Sequence, residues 1–235
     1  GKRIRFIAEP KTFDDIKSGI LEILSPYLEK VLGIYLYGSY ARNEETIESD
    51  IDILVVSNAK LKIIENIKEY SIISITLKEL ENILESNAVL ALPIIKEAKT
   101  IINPNLLENY KEYRFTKKNT KIFLESSERI LKLNKKGLEL DFEIGSMVYS
   151  LMLRIRGLLM INFISNDLLY SKSQLFGYLE RNGLAKEKIK ELYRIYSSER
   201  NGNKVRESEI ASKDDVQKLV LIMEKILHEA NRLIR

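Results

Sequence analysis

Apolar residues recur at helical spacing between residues 12 and 30, at Phe13, Ile16, Ile20, Leu21, Leu24 and Leu28, and Thr12 stands where an N-cap belongs. The period then changes. Val31 to Tyr37 is short, β-branched and aromatic, as a strand requires, and it stops at Gly38-Ser39. Asp50 to Val56 alternates before turning apolar, which predicts a strand with one end at a polar edge. Residues 59–70 carry a helical pattern, 71–76 a third strand, 77–84 and 89–98 further helices, and 99–102 a short closing strand. From about residue 105 the alternation ends. Helical periods run through 117–134, 139–164, 171–181, 184–199 and 211–234, separated by Lys136-Gly137, Ser165-Asn166-Asp167 and Asn182-Gly183. Strands followed by helices predict an α/β (α+β) domain with a mixed sheet over residues 1–112 and an all-α helical bundle domain over 113–235.

Charge separates the same two parts. Residues 1–112 hold 14 lysines and arginines against 18 acids, net −4, and residues 113–235 hold 24 against 16, net +8. An acidic part beside a basic one suits a polyanionic substrate, although lysines on helices more often only solvate. Cysteine is absent and His228 is the one histidine, which excludes thiolate or zinc sites and a Ser-His-Asp triad. Any metal must sit on oxygen ligands. Ile144 to Ile164 has nearly the length of a membrane span, but Arg154 and Arg156 lie in its middle, where a bilayer would charge roughly 2.5–3.5 kcal/mol for each. A buried bundle helix is the better reading, so no membrane partner is expected. Gly1 to Arg5 lacks the apolar core of a signal peptide, and the expected location is cytoplasmic.

The segment that carries chemistry is Tyr37-Gly38-Ser39-Tyr40-Ala41-Arg42-Asn43, followed after a polar loop by Ser49-Asp50-Ile51-Asp52. Asp50 and Asp52 are two apart on a predicted strand, so both carboxylates face one way and can offer hard oxygen ligands to Mg²⁺ or Mn²⁺. A metal would relieve their repulsion. Gly38 removes a side chain where a triphosphate must approach the backbone, and the Ser39 amide and hydroxyl can donate to phosphate oxygens. A helix is expected to start there, with amides favouring an anion, and Arg42 either adds charge to the phosphates or pairs with a local acid. Phosphoryl and nucleotidyl transfer rely on such positioning and charge stabilisation.

Gly38-Ser39, ten intervening residues and then Asp50-x-Asp52 resembles the signature of minimal nucleotidyltransferases in the DNA polymerase β superfamily, over approximately residues 12–103. The resemblance implies catalytic and metal-binding roles for Asp50 and Asp52 and nucleotide-binding roles for Gly38, Ser39 and Arg42. Two positions depart from it. Asn43 stands where members often have glycine, a mild change because asparagine tolerates left-handed backbone. Many members also place a third carboxylate on the next strand, whereas residues 71–76 contain none. Ser74 is the expected vacant position, with Glu79 and Glu81 considered as substitutes. The helical part resembles the HEPN domains that accompany such enzymes, by helix order and by Arg200-Asn201, but the histidine that HEPN ribonucleases place shortly after that arginine is missing.

Tyr113 beside Arg114, and Tyr193 and Tyr196 around Arg194, are suited to stacking on RNA, although their helical spacing fits core positions better. The apolar helix faces are also suited to a homodimer. The expected activity is transfer of a nucleoside monophosphate from a triphosphate, ATP above others, to an acceptor hydroxyl on a protein, RNA or small molecule, with release of pyrophosphate. The alternatives are a weakened nucleotide-binding module and an RNA-binding protein that acts through its helices.

Overall fold

The computed structural model describes residues 11–46, 49–63, 66–200, 202 and 211–234. The chain divides into two compact units. One takes the described residues up to Leu84 with Leu90–Tyr113; the other takes Glu85–Val89 with those from Arg114 onward.

In the first unit, α1 (Phe13–Leu24) opens with a capping box in which Thr12 and Asp15 each bond the other's backbone amide. A 3₁₀ turn over Ser25–Lys30, entered through Pro26, leads into β1 (Val31–Tyr37). One helical turn, α2 (Gly38–Arg42), separates β1 from β2 (Ile51–Ser57). Next come β3 (Asn66–Ile67), β4 (Tyr70–Thr76), α3 (Leu77–Ser86), α4 (Leu92–Glu97), β5 (Lys99–Ile102) and α5 (Pro104–Lys111). The strands form one sheet in the order β3-β4-β2-β1-β5. Only β2 and β4 pair in parallel; the β1–β2, β1–β5 and β3–β4 pairs are antiparallel. On one face Ile34, Leu36, Ile53, Val55 and Ile72 pack against Ile16, Ile20 and Leu24 of α1. Each such buried side chain contributes about 1.5–3 kcal/mol. The alternate residues Tyr35, Leu54 and Val56 are buried too, and the Tyr35 hydroxyl donates to the Asn103 carbonyl at 2.8 Å.

The helix expected over 59–70 is not formed. Leu61 and Ile63 pack against the α1-side core outside any helix or strand, with the Lys62 carbonyl held by the Tyr27 hydroxyl at 3.0 Å. Lys68 then takes φ 54, and the turn folds Asn66–Ile67 back onto Tyr70 and Ser71. Pairing with β4 overrides a local helical pattern that only a few isoleucines carried.

The second unit is helical: α6 (Lys117–Glu139), α7 (Ile144–Ser165), α8 (Lys172–Arg181), α9 (Lys186–Arg200) and α10 (Lys213–Leu233). Gly137 does not break α6, which runs on to Glu139. Capping boxes start α6 at Thr116 and α10 at Ser212. α7 is the central helix. By length and composition it could cross a membrane, yet its Leu151, Ile155, Leu158 and Ile161 are buried in one core with residues of α6, α8, α9 and α10. Gly157 admits the Phe123 ring, since an added Cβ would lie 2.3 Å from Phe123 Cζ. The Arg154 guanidinium lies over the Phe123 ring, and that of Arg156 lies over Tyr170 and donates to the Tyr196 hydroxyl at 3.2 Å. Tyr196 is buried and Tyr193 half-buried, so the tyrosines of α9 are core residues. A fold of this kind, a mixed sheet with helices followed by a helical region, is the one the sequence predicts.

Candidate active site

β1 and β2 run antiparallel with Tyr37 paired to Asp52, so the chain leaves β1 beside the start of β2. Asp50 immediately precedes β2 and Asp52 is its second residue; strand alternation turns both to one face. Asp50 is exposed and Asp52 half-buried. Gly38 has φ +76, and a Cβ built there would lie 2.1 Å from Asp52 Oδ2. The carboxylate occupies the space a side chain would fill. Only glycine allows this, because it combines a left-handed backbone with a bare α-carbon. The structure thus brings Gly38, half-buried Ser39 and both aspartates to the same end of the sheet.

Helix α2 lasts one turn and ends at Asn43, whose φ of 55 and ψ of 41 are left-handed. This is the conformation that glycine or asparagine supplies at a helix end, and Lys99 Nζ holds the Asn43 side chain at 2.8 Å.

Arg42 pairs with local acids. Its Nε donates to Glu44 at 2.9 Å and its Nη1 to Glu97 at 2.7 Å. The other carboxylate oxygen of Glu97 accepts the Gly38 amide at 2.8 Å. Burial lowers the pKa of the guanidinium, but the two carboxylates outweigh this and leave it above its ordinary value. Glu97 is the residue that sequence reasoning missed. Its only signal is that it is the one acid of α4, where it follows Lys96 at the helix end, and the contact spans more than fifty residues.

Of the two serines of β4, Ser71 and not the expected Ser74 stands beside Asp52. In the parallel β2–β4 register Asp52 pairs with Ser71, whereas Ser74 pairs with Val55 and so faces the other side. Glu79 and Glu81 do not fill the gap. Glu79 accepts from the Thr76 amide at 2.8 Å and the Thr76 hydroxyl at 2.9 Å, bonds that hold its carboxyl below the ordinary value. Glu81 accepts the Tyr110 hydroxyl at 2.9 Å. Glu69, the residue directly before β4, is paired with Lys11.

In the helical unit Arg200 ends α9 exposed and Asn201 lies outside the described residues; His228 is exposed on α10.

Residues 17–126 match the family model described as Nucleotidyltransferase domain. The match covers a little under half of the chain and supports a nucleotidyl-transfer activity for this part of it. Among solved structures, the chain is similar to the spectinomycin adenyltransferase AAD(9) from Enterococcus faecialis, crystallised with ATP and spectinomycin. Identity is 17%, coverage 92% of this chain and 99% of that one, and the TM-score 0.53. A nucleotidyltransferase-like protein from Exiguobacterium sibiricum 255-15 matches at 13% identity, over 93% of this chain and 77% of that one, with a TM-score of 0.38. A search of the curated proteins finds no match.

Proposed function

We propose that the chain is a Mg²⁺-dependent nucleotidyltransferase that moves a nucleoside monophosphate from a triphosphate, ATP above others, to an acceptor hydroxyl and releases pyrophosphate. The observation that carries this reading is the close approach of Gly38 to Asp52, which puts a side-chain-free backbone turn against a carboxylate at one end of the sheet. Asp50 and Asp52 would hold the metal. Among the described residues no three of His, Cys, Asp and Glu converge in a metal-binding group. Two carboxylates nevertheless fit Mg²⁺, which takes one or two from protein and completes its shell with phosphate oxygens and water. Bound there, the metal would neutralise phosphate charge and orient the triphosphate. The Ser39 amide and hydroxyl would donate to phosphate oxygens, and Arg42, which is paired with Glu44 and Glu97, would reach the phosphates only by exchanging one of these carboxylates for them.

To the helical unit we assign the acceptor platform, a HEPN-like helix order and self-association through its apolar faces. Support for the platform comes from the length of the fold likeness: 92% of this chain is more than the first unit alone contains. Acceptors to be compared are the protein itself, RNA and small hydroxylated molecules.

Incubation with labelled triphosphates, Mg²⁺ and these acceptors tests the reading, with pyrophosphate release as the readout. In calorimetry ATP is expected to bind with Mg²⁺ or Mn²⁺ and not in EDTA, because two adjacent aspartates repel an uncompensated triphosphate. Equal affinity in both conditions would remove the metal from the proposal.

One observation favours a second reading. Ser71 places a hydroxyl beside Asp52 where a carboxylate would take the acceptor's proton, which suits a module that binds nucleotide and transfers it slowly. Tight binding without turnover selects it.

Ribonuclease action by the helices is not expected. Arg200 can stabilise phosphate charge but cannot readily accept a proton, and no histidine follows it closely in sequence. Purified protein incubated with mixed RNA in EDTA should leave the RNA whole. Cleavage that disappears in Arg200→Ala would assign the activity to the helical unit instead.

A further inference from the structure

The Arg42–Glu97 pair is an unusual companion for a phosphate site. Both side chains are largely buried, with 15% and 9% of their surfaces exposed, and Glu97 grips the first and last residues of α2 at once through the Gly38 amide and Arg42 Nη1. In sequence these two donors lie on either side of Ser39. A carboxylate that accepts a backbone amide and a guanidinium together does what a phosphate oxygen pair would do at the same place. With Glu44 on Nε, two acids surround one arginine, so the cluster carries no spare positive charge for an incoming anion.

Resting on the nucleotidyltransferase reading, we infer that Glu97 is a resident anion of the phosphate cradle, which a metal-bound triphosphate displaces from Arg42 and Gly38. The pairing fixes α2 while the cradle is empty and sets a threshold on what may enter. A ligand must bring several phosphate oxygens and its own metal to replace a chelating carboxylate. Triphosphates meet that condition and nucleoside monophosphates do not. Glu97 is therefore a specificity residue that opposes binding, the reverse of what a merely structural staple would do.

The test is calorimetry of wild-type and Glu97→Gln protein with Mg·ATP and with Mg²⁺ plus AMP. Glutamine keeps an acceptor for the Gly38 amide but lacks the charge. Glu97→Gln should bind Mg·ATP roughly tenfold more tightly, the effect of removing one repulsive charge from a partly buried site. It should also bind AMP measurably where the wild type does not. Equal or weaker binding of ATP by the variant, with a wild type that binds, overturns this inference and leaves the nucleotidyltransferase reading intact. No Mg·ATP binding by either protein overturns both. Should the variant fail to fold, the wild-type Gly38 amide resonance decides: it must shift when saturating Mg·ATP displaces its acceptor, and an unmoved signal sinks the inference.

Discussion

Replacing Asp50 and Asp52 together by asparagine is expected to abolish metal-dependent triphosphate binding while the fold stands. The two carboxylates share one face at the head of β2, and Asp52 is further enclosed by Tyr37, Ser71 and the α-carbon of Gly38. Without a metal the pair repels itself, so the neutral amides should leave the melting temperature unchanged or slightly raised. Affinity for Mg·ATP should fall by more than about a hundredfold, since residues that merely support metal ligands already cost about 10- to 100-fold when changed. Calorimetry with Mg²⁺, set beside a thermal melt in EDTA, reads both quantities. A large drop in melting temperature without metal would give the pair a structural role.

Gly38→Ala should cost nearly as much through a single methyl group. The new Cβ would need the space held by Asp52 Oδ2, 2.1 Å away, and it would sit on a backbone with φ +76. Left-handed backbone costs a residue with a Cβ about 1–2 kcal/mol, a modest share of stability. The larger loss is geometric. Displacing Asp52 by about 1 Å is enough to cost about a hundredfold where ligands must be held in register. The variant should therefore fold, melt a few degrees lower, and bind Mg·ATP at least about a hundredfold more weakly. If its affinity matches the wild type, Asp52 is not where the metal goes.

Sequence patterns were sufficient for the parts of this site that are local. A β-branched run stopping at Gly38-Ser39 and the spacing of Asp50 and Asp52 placed the turn and both carboxylates, and the left-handed backbone at Asn43 followed from residue type. Long-range register was not legible. Ser71 and Ser74 read alike within one strand, and only pairing with β2 tells which stands beside Asp52. Glu97 was invisible for the same reason, because its partners lie more than fifty residues upstream. The apolar positions at 61, 63 and 67 fit helix and strand comparably over so short a stretch, and tertiary pairing made a strand of Asn66–Ile67 alone.

The place of β5 has a consequence for how the protein is made. β1 lies between β2 and β5, and Ile34 pairs with Ile102. During synthesis β1 emerges early but its outer edge remains uncovered until residues 99–102 have left the ribosome. Until then a nearly continuous apolar strand presents free amides and carbonyls to any other chain, which is the circumstance that promotes aggregation. Closing a loop of this length also makes the pairing slow, so the nascent first unit depends on prompt completion of its last strand.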